Sequence, residues 1–165
     1  MRHRTTYILV ITFLLGRSLW AQSIDDPLRK YNSETVPYIS VDELHKKLKD
    51  YALLDTRKKE EYAVSHLPGA IWVGEKFDDK HIQQQYPDKN TPIVVYCSIG
   101  VRSEDFGERL QKAGYLQVKN LYGSLFAWKN KNYALENANG NPTDSVHVYS
   151  EDWSVYLKKG IKVYH

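Results

Sequence analysis

The sequence predicts an α/β domain in which a five-stranded parallel sheet is covered by helices on both faces. Two observations carry this expectation. Short apolar runs alternate with segments of helical spacing, the pattern that βαβ units produce. At 165 residues, with 42% hydrophobic and 26% charged side chains, the chain has enough apolar material for one globular domain with its own core.

In order along the chain, residues 1–21 read as an export signal rather than structure. Arg2-His3-Arg4 forms a basic head, Tyr7 to Leu15 an apolar stretch, and Ala21-Gln22-Ser23 a small-residue cleavage region, with the cut expected after Ala21 or Ser23. The apolar stretch is nine residues long and Arg17 interrupts it, whereas a membrane span needs ~20. The mature protein is therefore expected outside the cytoplasm, periplasmic or secreted, with no membrane contact after cleavage.

Arg2, Arg4 and Arg17 are the basic residues of that signal, and they account for the whole formal charge of +3. A neutral mature chain offers no basic surface for nucleic acid. The 13 tyrosines are scattered rather than interleaved with arginine clusters, so a base-stacking platform is not expected either.

Residues 22–36 are polar and aperiodic and read as a linker. Tyr38-Ile39 is a minimal strand. Ser40-Val41-Asp42-Glu43 has the capping-box pattern, and Val41, Leu44, Leu48 and Tyr51 follow at helical spacing, which predicts a helix over 41–50. Ala52-Leu53-Leu54 forms a second strand ending at Asp55-Thr56-Arg57. Lys58 to Val64 is a short helix, Ser65 to Gly69 a turn on Pro68-Gly69, and Ala70 to Val73 a third strand. Asp78 to Tyr86 is a polar helix stopped by Pro87.

Ile93-Val94-Val95-Tyr96, preceded by Pro92, reads as a buried strand. It delivers Cys97, the only cysteine, to a one-glycine loop. A helix follows from Arg102, with Phe106, Leu110 and Ala113 on one face, and Gly114 ends it. Val118 to Leu121 makes the fifth strand, and 123–130 a last short helix. The domain is expected over 37–135 and a C-terminal extension over 136–165. In that extension Val146 to Tyr149 alternates like a strand. Trp153, Tyr156 and Leu157 mark a short amphipathic helix, and Gly160 precedes another apolar run. This aromatic tail is expected to pack on the domain, with a docking surface for a protein partner as the alternative.

A lone cysteine in an exported chain is an inert core residue, half of an intermolecular bridge, or a reactive thiol. The loop favours the third. A thiol between a strand end and a helix N-terminus meets unpaired N–H groups and the positive end of a helix dipole, and both favour the thiolate. In parallel sheets ligands bind beyond the carboxyl ends of the strands, so Asp55 and Cys97 are expected to share one edge.

Four stretches then fall into place together. Asp55-Thr56-Arg57 with Glu61-Tyr62, His66 to Ile71, Cys97 to Ser103, and Gly114-Tyr115 through Val118, Leu121, Gly123 and Ala127-Trp128 resemble, in order, the motifs of the single-domain rhodanese family. The resemblance implies a five-stranded parallel sheet and a sulfurtransferase. Four residues depart from the family pattern: Ser65 and Ser124 stand where glycine is usual, and Phe106-Gly107 where small alanines are common.

The chemistry of the loop supports the same expectation. Cys97 is the candidate nucleophile and carrier of a covalent persulfide, with no other cofactor. Backbone N–H groups from Ser98, Ile99, Gly100, Val101, Arg102 and Ser103 would cradle the thiolate and persulfide anions. Arg102 would meet an anionic, thiosulfate-like donor or pair with a carboxylate such as Asp55. Asp55 and Arg57 are supporting residues, and Arg57 with Glu61, four apart, reads as a local ion pair. Ile99 and Val101 would form an apolar rim. The expected partners are a small sulfur donor and a thiophilic acceptor, with a protein acceptor as an option.

Two other functions fit part of the pattern. One is a sulfur-carrying or sensing module without turnover. The other is a phosphatase or arsenate reductase, whose loop needs five residues between cysteine and arginine where this chain has four. No histidines are spaced as ligands and no glycine-rich phosphate fingerprint occurs, so neither metal nor nucleotide is implied.

Overall fold

A computed structural model describes residues 23–164. The export signal expected over 1–21 lies outside them. The chain runs through α1 (Asp25–Tyr31), β1 (Tyr38–Ile39), α2 (Val41–Lys46), β2 (Ala52–Asp55), α3 (Lys59–Val64), β3 (Ile71–Trp72) and α4 (Asp79–Gln85). It continues with β4 (Ile93–Tyr96), α5 (Arg102–Lys112), β5 (Val118–Leu121), α6 (Ser124–Asn130), β6 (Ser145–His147), α7 (Glu151–Ser154) and β7 (Ile161–Val163).

The main sheet has the order β1-β5-β4-β2-β3, and every pairing in it is parallel. β4 lies at its centre with all four residues buried, as an apolar run in a two-sided sheet must. Alternate side chains go to opposite faces. Leu53, Val94, Tyr96 and Leu121 pack with α2 and α6, and Leu54, Ile93, Val95 and Val118 pack with Ile82, Phe106 and Leu110. Asp55 pairs in register with Tyr96, so the ends of β2 and β4 lie side by side. That register brings the Asp55 segment to the same edge as Cys97.

Local signals hold where they involve neighbours in the chain. The Ser40 hydroxyl accepts the Glu43 N–H at 3.1 Å, and Asp78 caps α4 by accepting the N–H of His81. The helix expected over 41–50 instead ends at Lys46 and tightens into a 3₁₀ turn over Leu48–Asp50, because Tyr51 is already extended to enter β2.

The expected linker over 22–36 is corrected by α1. This helix has no long apolar stripe, but its Leu28 is buried and reaches the loop after β4. A Cβ built on Gly100 would lie 3.2 Å from Leu28 Cδ2. Tertiary contact, not periodicity, holds α1 in place.

The C-terminal extension forms a second, two-stranded parallel sheet of β6 and β7 joined through α7. Val146, Val148 and Leu157 are buried in the same core as Leu121, Leu125, Phe126 and Trp128. Asn130 fastens it from the domain side, donating to the Tyr156 carbonyl at 2.9 Å and accepting the Lys158 N–H at 2.7 Å. Lys129 of α6 pairs with Asp144. Tyr156 and Leu157 lie just past α7, in turns closed by bonds to Trp153 and Ser154.

Candidate active site

Cys97 leaves the carboxyl end of β4 and is 1% exposed. The loop turns at Gly100, whose φ of +107° suits glycine. A side chain there would also press on Leu28 and on the Leu121 carbonyl, 3.3 Å from a Cβ position. Two amide side chains hold this turn: Asn32 and Asn120 each donate to the Gly100 carbonyl at 2.9 Å.

Of the loop amides, two are directed at sulfur. The Gly100 N–H donates to Cys97 Sγ at 3.1 Å, and the Ser103 N–H does so from the first turn of α5. The Ser103 hydroxyl lies 3.7 Å from the sulfur, but it has one proton and sits 2.7 Å from Asn120 Oδ1. Asn120 Nδ2 is committed to the Gly100 carbonyl and to Glu104, so its oxygen must face Ser103. We therefore assign the hydroxyl proton to Asn120 and leave the N–H groups as the donors to sulfur.

Burial is the largest influence on the Cys97 thiol and pushes its pKa up. The Arg102 charge and the Ser103 and Gly100 N–H groups outweigh it, so the thiol lies below its ordinary value. The site thus favours the nucleophilic form without exposing it.

Arg102 does not reach Asp55. Its guanidinium forks onto Glu61, Nη1 to Oε2 at 2.7 Å and Nη2 to Oε1 at 2.8 Å. It also donates to Glu75 at 3.0 Å and to the Ser98 hydroxyl at 2.9 Å. Burial pushes the Glu61 carboxyl up, but the bonds and charge of Arg102 bring it below its ordinary value. The Arg57–Glu61 ion pair expected from their spacing is replaced by this longer-range one.

Asp55 instead holds Arg57. Both are 0% exposed, with Arg57 Nη2 2.6 Å from Asp55 Oδ2 and Nε 2.9 Å from Oδ1. Arg57 also donates to the Ser65 carbonyl at 2.6 Å, and its own carbonyl accepts the Trp72 indole N–H at 2.8 Å. The Asp55-Thr56-Arg57 segment thereby joins β2, β3 and the turn after α3. His66 belongs to the same turn, stacked on Tyr62 at 3.9 Å with Nδ1 3.0 Å from the Tyr62 carbonyl.

The departures at Ser124 and Gly107 have local causes. Ser124 has φ +49°, and its hydroxyl accepts the Cys97 N–H at 3.2 Å while donating to the Leu121 carbonyl at 3.1 Å. It therefore ties the Cys97 backbone to β5. A Cβ at Gly107 would lie 3.0 Å from Val36, so the segment before β1 occupies the space an alanine would need.

Over the sulfur is a pocket of about 100 Å³ bounded by Cys97, Ile99, Val101 and Arg102 of the loop and by Tyr149 and Trp153 of the extension. Ile99 and Val101 supply its apolar rim. A larger groove of about 360 Å³ between α1, α2 and α6 does not touch Cys97. His147, unassigned by the sequence, is buried near the pocket and feels the charges of Glu61 and Arg102. Burial is the main cause that holds its pKa below the ordinary value. Glu61, Asn120, Ser124, Tyr149 and Trp153 are site residues that spacing did not reveal. Glu61 had a visible signal in its place in the first motif and Ser124 in its departure from the family glycine, while nothing along the chain linked Asn120, Tyr149 or Trp153 to Cys97.

A parallel sheet with a cysteine loop at its carboxyl edge and a helix N-terminus behind the sulfur is the arrangement that the motif resemblance implied. The profile of the Rhodanese-like domain matches residues 40–131, and the chain belongs to that family. It is 37% identical over 70 residues to thiosulfate sulfurtransferase PspE of Escherichia coli, covering 42% of this chain and 67% of that protein. It is 32% identical over 108 residues to adenylyltransferase and sulfurtransferase UBA4 of Lodderomyces elongisporus, covering 61% of this chain and 23% of that one. Among solved structures, the thiosulfate sulfurtransferase of Pseudomonas aeruginosa superposes with a TM-score of 0.58 at 25% identity, over 64% of this chain and 21% of that one. The rhodanese-like domain of Anabaena Alr3790 has the same fold, with a TM-score of 0.56 at 24% identity over 61% and 79%.

Proposed function

We propose that this protein is a rhodanese-type sulfurtransferase that moves a sulfane sulfur from a small anionic, thiosulfate-like donor to a thiophilic acceptor. The Cys97 thiolate attacks the outer sulfur of the donor. The donor's S–S bond breaks, its electron pair departs with sulfite, and Cys97 carries the transferred sulfur as a persulfide anion. An acceptor such as cyanide then attacks that terminal sulfur, and the electron pair returns to Cys97 as thiolate while thiocyanate leaves.

The observation that carries this reading is the approach of the Gly100 N–H to Cys97 Sγ at 3.1 Å. Donors arranged in this way stabilise a sulfur anion both before and after transfer. Its use outside the cytoplasm, periplasmic or secreted, rests on the N-terminal sequence pattern.

Intact-mass analysis of protein recovered after export tests both parts. The expected result is a chain beginning after Ala21 or Ser23 that gains one sulfur on thiosulfate treatment and loses it to cyanide. Cys97→Ser is expected to gain none and to abolish thiocyanate formation. Sulfur uptake that persists in that variant would remove Cys97 from the role, and uptake without release would favour a carrier module.

A further inference from the structure

The pocket over Cys97 has two halves of different origin. Its floor belongs to the family loop, but Tyr149 and Trp153 come from the extension, beyond the matched residues 40–131. Tyr149 is held there at some conformational cost. Its φ is +65°, a region that non-glycine residues adopt rarely and that marks positions constrained by their surroundings. Its N–H donates to His147 Nδ1 at 3.1 Å, and its ring is faced by Arg102 at 4.8 Å and Lys58 at 5.5 Å. Trp153 meets Tyr31 of α1 edge-on at 6.3 Å.

The charge at this mouth does not suit a small inorganic dianion. Arg102 has five N–H donors, and four are engaged by Glu61, Glu75 and Ser98. Among the groups that pair with Arg102 or face the Tyr149 ring, together with the sulfur itself, Glu61, Glu75 and the Cys97 thiolate outnumber Arg102 and Lys58 by one. The space beside the sulfur is bounded by Ile99, Val101, Tyr149 and Trp153, with Ser98 and the already engaged Arg102 as its polar members. An apolar group bound against such a wall removes apolar surface from water, whereas a second anionic charge meets repulsion.

We propose that Tyr149 and Trp153 are specificity-determining residues that receive an apolar organic group on the sulfur donor. The favoured donor is then an organic thiosulfonate monoanion rather than inorganic thiosulfate. The inference rests on the sulfurtransferase reading and narrows its substrate class. The transfer balances in the same way: the Cys97 thiolate takes the outer sulfur of R–SO₂–S⁻, the S–S bond breaks, and the sulfinate R–SO₂⁻ leaves with the electron pair. A pocket of about 100 Å³ restricts the group to a short alkyl chain or a single ring.

The test compares methanethiosulfonate, benzenethiosulfonate and thiosulfate as donors by kcat/KM, with one-sulfur uptake on Cys97 followed by mass. The wild type is expected to prefer an organic donor at least tenfold. Tyr149→Gly and Trp153→Leu are expected to cut that preference at least threefold each, through KM of the organic donor. Glycine suits the positive φ at 149, and leucine keeps an apolar residue on α7, so both variants retain the fold. Equal use of all three donors by the wild type, or an unchanged ratio in both variants, overturns the inference while sulfur uptake leaves the sulfurtransferase reading standing. Absence of uptake from every donor overturns both.

Discussion

At the scale of single residues, Cys97 is balanced between opposing effects. Its burial disfavours the thiolate, and the Arg102 charge with two backbone N–H groups reverses that preference. Replacing Arg102 by glutamine removes the largest favourable contribution. The Arg102→Gln thiol is expected to titrate at higher pH than wild type, with slower alkylation by iodoacetamide at neutral pH. Arg102→Lys, which keeps a charge but not the fork onto Glu61, is expected to fall between them. The sign follows from the direction of the shift: loss of a nearby cation favours the neutral thiol. An alkylation rate with an unchanged pH midpoint in Arg102→Gln would assign the activation to the amides alone.

The neighbours of Arg102 also show where residue spacing misleads. Arg57 and Glu61 are four apart, yet they do not pair with each other: Glu61 takes Arg102, 41 residues on, and Arg57 takes Asp55. Asp55 and Arg57 are two apart at the end of a strand, and they form the buried pair. Spacing predicts pairing on a regular helix, but Arg57 precedes α3 and points into the core beneath Tyr96, with its guanidinium 5.9 Å from that ring.

At the scale of elements, this pair joins β2, β3 and the turn after α3. Arg57 keeps its charge in spite of burial because Asp55 faces it. Removing one member of a buried ion pair leaves the other uncompensated, so Asp55→Asn is expected to destabilise the fold by roughly 3–5 kcal/mol. Urea unfolding measures this. Replacing both members together, Asp55→Leu with Arg57→Met, is expected to cost less than the single change, because no charge is then stranded. A double variant less stable than Asp55→Asn would contradict the uncompensated charge as the cause.

The loop between β4 and α5 is likewise held from other elements: Asn32 follows α1, Asn120 is in β5 and Ser124 begins α6. Its chemistry-bearing residues were legible as a motif because they are contiguous. Its supports were not, because they converge from 65 residues upstream to 27 downstream of Cys97.

At the scale of the whole molecule, the extension completes the core rather than decorating it. Val146, Val148 and Leu157 are buried with residues of β5 and α6. Leu157→Ala is therefore expected to lower global stability by about 2–5 kcal/mol. Tryptophan fluorescence and far-ultraviolet circular dichroism are expected to report one coincident transition, in wild type and variant alike. An early, separate loss of the fluorescence signal would mean that the extension unfolds independently.

The sequence by itself determined the parallel α/β sheet, the place of Cys97 at its carboxyl edge and the contiguous residues of the loop that follows. These follow from apolar runs, turn residues and contiguous spacing, which are properties of neighbours along the chain. Tertiary structure alone decided that Arg102 is bound by Glu61 and Glu75, that α1 and Asn32 support the loop, and that Tyr149 and Trp153 wall the pocket. Each of these depends on side chains brought together from distant positions, where burial and charge compensation select the partner and local periodicity carries no signal.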